Sequence, residues 1–97
     1  MPKHSLKLCW LHLIWSTKDR YPFFNQYDTA IDCLDILKSI CNEHDIYYKT
    51  GYVNPEHVHL LVDLPVDMSI KQLMQTLKGT GSHEINQKEL FNKPFSW

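Results

Sequence analysis

Two runs, the aromatic and β-branched "IYYKTGYV" at 46–53 and "EHVHLLVDL" at 56–64, are joined by a tight turn at Asn54, Pro55 and Glu56 and closed by Pro65. A three-residue connection is too short for a crossover, so the two runs must pair antiparallel around a tight turn. Any fold open to this chain contains that hairpin. Successive side chains of a strand point to opposite faces, so Val58, Leu60, Val62 and Leu64 form one side of the second run. His57, His59, Leu61 and Asp63 form the other. The first set reads as core, which leaves two same-face histidines to be explained.

The rest of the chain builds around the hairpin. In "LKLCWLHLIWS", residues 6–16, Trp10, His12 and Ile14 alternate with Cys9, Leu11, Leu13 and Trp15, so both faces are largely apolar and a central strand is expected. Pro22 interrupts the polar connection that follows, and Asn25 or Asp28 can cap the next element. From about 28 to 43, Ile31, Leu34, Leu37 and Cys41 recur at helical spacing, with Ile40 beside them. Ser69 followed by Gln72 is a capping-box pattern, and Ile70, Leu73, Met74 and Leu77 supply the stripe of a second helix. Gly79 and Gly81 weaken its middle, and Ile85 and Leu90 indicate that it resumes or continues.

The order β-α-β-β-α places the chain in the α+β class as a ferredoxin-like split βαβ, with an antiparallel sheet and helices packed on one face. Such a sheet needs a fourth strand, and only "PFSW" at 94–97 is left to start it. The sheet is therefore expected to be incomplete, with an exposed edge that favours a homodimer. Ninety-seven residues make one domain, 1–97.

Composition narrows the function classes. The chain is 43% hydrophobic and 22% charged, an ordinary globular balance. No run approaches the roughly 18 apolar residues of a membrane span, and the N-terminus lacks a small-residue cleavage site, so the expected location is cytoplasmic. Three cysteines without CxxC spacing support neither a disulfide framework nor a cysteine zinc site. A formal charge of -1 argues against coating duplex DNA by charge alone and leaves room for a local basic groove.

Two histidines two residues apart on a strand lie about 6 to 7 Å apart, close enough for both imidazoles to converge on one divalent ion or one phosphate. Two imidazoles leave most of a coordination sphere open for further ligands and substrate oxygen. "NPEHVHLLVDLPVDMSIKQLMQTLKGTGSHEINQ", together with the opening "LCWLHLIWSTKDRYPFF", resembles the single-tyrosine HUH transposases of the insertion sequence 200-like family. The resemblance implies that His57 and His59 hold a divalent ion, Mg2+ or Mn2+, at the scissile phosphate of single-stranded DNA. It also implies that a tyrosine hydroxyl forms a 5'-phosphotyrosine link, and that the proteins work as dimers on DNA hairpins. The family's nucleophile lies on a helix after the fourth strand, and that helix supplies a further metal ligand. All five tyrosines here, Tyr21, Tyr27, Tyr47, Tyr48 and Tyr52, precede His57, so no nucleophile is assigned and the domain is expected to lack its C-terminal strand and helix.

Lys71, Gln75, Lys78 and Ser82 share one helical face and, with Lys18 and Arg20 of the basic loop, are candidates to line a groove for single-stranded DNA. Glu56 is expected to point away from the histidines, Asp63 to be solvated, and Trp10 and Trp15 to be core. His4, His12, His44 and His83 are read as structural or surface residues. A non-catalytic regulatory DNA-binding protein is the alternative function, and a ferredoxin-like module for a small molecule or metal is a more distant one.

Overall fold

A computed structural model describes residues 9–97. Strand β1 (Trp10–Ser16) leads through a 3-10 turn at Lys18–Arg20 into helix α1 (Tyr27–Glu43). Strands β2 (Tyr47–Val53) and β3 (His57–Asp63) follow as the hairpin, and then come α2 (Ile70–Gln75), a π-helical turn (Thr76–Thr80) and α3 (Gly81–Gln87). The described part of the first sequence run starts at Cys9; its earlier residues, and His4, lie outside the described residues.

The sheet has the order β1-β3-β2, with β3 antiparallel to both neighbours. Inserting β3 between the two strands of a β-α-β unit is what "split βαβ" means, so the expected α+β architecture is present. One face of β3, formed by Val58, Leu60 and Val62, has no solvent exposure. It packs in one cluster with Leu13 and Trp15 of β1, with Cys33, Ile36, Leu37, Ile40 and Cys41 of α1, and with Leu73, Leu77 and Ile85 of the later helices. Burial of each such aliphatic side chain stabilises the fold by about 1.5–3 kcal/mol, so this layer holds the sheet in place.

Two local outcomes differ from the sequence reading. Among the described residues β1 is an edge strand, not a central one. Its apolar outer face consists of residues that stay largely in solvent, with Trp10 40% and Ile14 56% exposed, because no described element covers that side of the sheet. The "PFSW" segment forms no strand. Instead Phe95 is buried against Phe23 and Phe24, and its backbone N–H and C=O bond the two ends of the Asn86 side-chain amide at 2.8 and 3.0 Å.

The glycine-weakened helix continues, as one of the two expected outcomes, and does so by passing through a π turn. Leu73, Leu77, Gly81 and Ile85 are all buried at a spacing of four. Residues four apart drift by about 40° per step around an α-helix, and the extra residue of one π turn returns about 100° of that drift. The Ser69 capping box forms as expected: Ser69 Oγ accepts from Gln72 N–H at 3.0 Å, and Gln72 Oε1 accepts from Ser69 N–H at 2.8 Å.

Candidate metal centre and nucleic-acid interface

The open face of the sheet is built by β3 and its two neighbours. Asn54 N–H donates to His57 C=O at 2.8 Å, which closes the hairpin turn and starts β3 at His57. From there alternation carries His57 and His59 to the side opposite the buried Val58 and Leu60, as expected. Their ring centroids are 4.7 Å apart.

A bulge in β2 decides what stands beside them. Tyr48 pairs with Val62 and Thr50 with Leu61, so Lys49 is an extra residue. One extra residue inverts the facing of everything after it, which brings Tyr52 onto the histidine side. There its ring stacks on His59 at 4.4 Å and 13°. Gly51 then faces the core side, where a Cβ would lie 2.6 Å from Leu60 Cδ2 and 2.7 Å from the His59 backbone oxygen. No side chain fits that position without displacing the strand that carries the histidines.

His12 of β1 joins the cluster, contrary to its reading as an isolated residue: its Nε2 lies 3.3 Å from His59 Nδ1. The β1–β3 register, with Ile14 opposite His59 and His12 opposite Leu61, produces this diagonal contact. Glu56 also departs from expectation. It precedes the first ladder residue, so strand alternation does not govern it, and its Oε1 sits 3.0 Å from His57 Nδ1 and 3.8 Å from Arg20 Nη2. Asn54 Nδ2 is 2.8 Å from His57 Nε2.

These contacts are mutually satisfied by one assignment of protons. His57 donates its Nδ1–H to Glu56 and His59 donates its Nδ1–H to His12, which leaves an Nε2 lone pair on each ring. Histidines that ligate metals commonly carry this outer hydrogen bond, which fixes tautomer and ring orientation. The His59 pKa is lowered, first by desolvation and then by the neighbouring His57 and His12, so the ring favours its neutral, ligating form. Two oriented imidazoles, each with an Nε2 lone pair, could form part of a divalent ion's shell. Among the described residues no group of three or more His, Cys, Asp or Glu side chains is arranged to hold a metal.

The basic candidates divide into two places. Lys18 and Arg20 stand beside the hairpin turn, because Thr17 ties the two segments together. Thr17 is 3% exposed, its N–H donates to Glu56 C=O at 2.9 Å, and its hydroxyl donates to Tyr21 C=O at 2.7 Å. Asp19 and Arg20 both take left-handed backbone conformations, at φ 56° and 55°. Such strain costs of order 1–3 kcal/mol per residue and persists only where surrounding bonds enforce it. Lys71 and Lys78 belong to the helical layer, flanking a shallow depression with Met74, Gln75 and Gly79.

Two further expectations on the open face are corrected. Asp63 is 2% exposed and accepts Cys9 N–H at 2.8 Å, so it is a buried structural acceptor. Trp10 is not core: it meets Tyr47 edge-on at 5.8 Å, with Lys49 Nζ 5.1 Å above its ring. Trp15 is core as expected. Cys33 and Cys41 are buried thiols with pKa pushed up to about 12 and about 11 by desolvation, which makes them poor thiolates. A cleft between α1 and α3 carries Asp32, Asp35, Glu43 and Glu84 against a single Lys88, a charge balance that repels a phosphate backbone. No described helix is long and apolar enough to cross a membrane.

Comparison with known proteins agrees with this architecture. The family model described as "Transposase IS200 like" matches residues 5–97. The ISDra2 transposase TnpA of Deinococcus radiodurans is 31% identical over 74 residues, covering 76% of this chain and 52% of that protein. The transposase for insertion sequence element IS200 of Salmonella typhimurium is 26% identical over 80 residues, covering 81% and 51%. The chain thus spans about half the length of the curated relatives it matches. A crystal structure of a transposase candidate from Deinococcus radiodurans R1 superposes with a TM-score of 0.80 at 26% identity, over 87% of this chain and 64% of that one.

Proposed function

The chain belongs to the IS200-like transposase family, and from that premise we propose that it binds single-stranded hairpin DNA across the open face of its sheet, with a phosphate held at His57 and His59. The observation that carries this reading is the pairing of two oriented imidazoles with the basic turn Lys18–Arg20, which Thr17 locks beside the same hairpin. His57 and His59 would hold a divalent ion, Mg2+ or Mn2+. When bound, it supplies Lewis-acid polarisation of the phosphate.

In the complete reaction a tyrosine hydroxyl attacks the phosphorus, the bond to the 3' oxygen breaks, and the 5' side stays linked to the protein until a 3'-hydroxyl reverses the step. Of the five tyrosines only Tyr52 lies against the histidines, and its ring is stacked flat on His59 as a support. We therefore assign these 97 residues the strand-holding and phosphate-positioning part of the reaction, with the nucleophile supplied from elsewhere. The free edge of β1 offers a pairing surface for a homodimer, which light scattering at micromolar concentration tests.

The deciding experiment is a binding titration of labelled single-stranded hairpin with Mg2+ or Mn2+, followed on native and denaturing gels. A mobility shift without a covalent adduct is expected, and it should weaken with salt. Lys18→Ala and Arg20→Ala should each reduce the logarithmic salt slope by about 0.7, the value for one phosphate contact on a single strand. Lys71→Ala and Lys78→Ala test whether the helical layer contributes to the same groove. Failure to bind any single strand at low salt would end this reading, and a covalent adduct lost in Tyr52→Phe would make Tyr52 the nucleophile.

A further inference from the structure

The metal reading leaves an incomplete shell: His12 and Glu56 meet the Nδ1 sides of the two imidazoles, and no group of three or more His, Cys, Asp or Glu among the described residues is arranged to hold an ion. Among the described residues, the side-chain hydrogen-bond partner of His57 Nε2 is the Asn54 amide, at 2.8 Å. We infer that Asn54 is a protein ligand of the divalent ion, presenting its amide oxygen beside His57 Nε2.

Three observations carry this. First, the separation is right. Two ligands at about 2.1 Å from one ion and at right angles to each other lie about 3 Å apart, close to the distance between the amide terminus and Nε2. Second, the required change is small. A half-turn of the amide exchanges its nitrogen for its oxygen at nearly the same place, converting a donor that caps the lone pair into an acceptor that shares a cation with it. Third, the position is fixed by the hairpin: Asn54 N–H donates to His57 C=O at 2.8 Å, so both donor groups ride on one turn and neither must travel. Glu56 completes the arrangement by holding the far side of the same imidazole at 3.0 Å. An amide oxygen is a hard, neutral ligand, suited to Mg2+ or Mn2+ and poorly suited to softer ions.

This inference rests on the proposed metal role of His57 and His59, and the test separates the two. Mn2+ binding to the full 97-residue chain is measured by the loss of the free-ion paramagnetic resonance signal, for the natural protein and for Asn54→Ala, Asn54→Asp, His57→Ala and His59→Ala, each checked for folding by circular dichroism. Loss of one ligand should weaken Mn2+ binding roughly tenfold or more in Asn54→Ala. Asn54→Asp, which keeps an oxygen at the same reach and adds charge, should bind at least as tightly as the natural protein. If Asn54 only caps the lone pair, its removal frees His57, and Asn54→Ala binds Mn2+ equally well or more tightly; that overturns the inference while the histidine variants still lose binding. Should Asn54→Ala fail to fold, weaker binding by a folded Asn54→Asp overturns it instead. Absence of Mn2+ binding by the natural protein, or indifference to both histidine substitutions, defeats the metal reading and the Asn54 assignment together.

Discussion

The two faces of β3 are made from seven consecutive residues under opposite demands. Val58, Leu60 and Val62 are fully buried and touch α1 and the later helices, while His57 and His59 remain partly in water, each held by a neighbour from outside its own strand. The buried face carries the energy, since close-packed aliphatic groups stabilise in proportion to area. The open face carries orientation, since Glu56, His12 and Tyr52 act on ring angle and tautomer and contribute little net stability. A strand whose position is set entirely from behind can present fixed side chains in front without those side chains helping to hold it.

That contrast can be broken first at the core. Leu60→Ala should cost about 2–5 kcal/mol in urea unfolding, because it opens a cavity in the middle of the sheet. Gly51→Ala should cost about 1–3 kcal/mol, because its Cβ meets Leu60 on one side and the His59 backbone on the other. It links the two faces, so it should also weaken Mn2+ binding, whereas a fully repacked suppressor at Leu60 should restore both. His59→Ala is expected to change stability by less than about 1 kcal/mol and to remove Mn2+ binding, which separates orientation from energy. A loss as large as that of Leu60→Ala would place His59 in the core.

A pH dependence comes from the α1 residues packed in the same core, and it is small until the solution is strongly alkaline. Cys33 and Cys41 are held protonated, with folded pKa values of about 12 and about 11 against 9.0. Their contribution is fully present below pH 9.0 and is lost as the pH rises from there through the folded values, because the unfolded chain gives up these protons first. Cys33→Ala should flatten that part of the curve. In the native state Cys9, which is exposed, should react with a thiol reagent well before the other two.

Much of the fold was legible because its signals are local. The hairpin followed from a three-residue turn, α1 from a 3.6-residue stripe, and the start of α2 from Ser69 and Gln72. The facing of His57 and His59 followed from strand alternation, and the family from the residues around them. Glu56 was misplaced because alternation was applied one residue before the strand begins. His12 was missed because its partner, His59, lies 47 positions away and is reached only through the β1–β3 register.

What the amino-acid order settles by itself is therefore the set of elements and the side of β3 on which the two histidines stand, since backbone geometry alone dictates both. The companions of those histidines were decided in three dimensions. The bulge at Lys49 turns Tyr52 onto His59, the strand register brings in His12, and the hairpin turn folds Asn54 and Glu56 onto the two nitrogens of His57. Each depends on where one strand stops sliding against another, and that is fixed by the packing of the buried face.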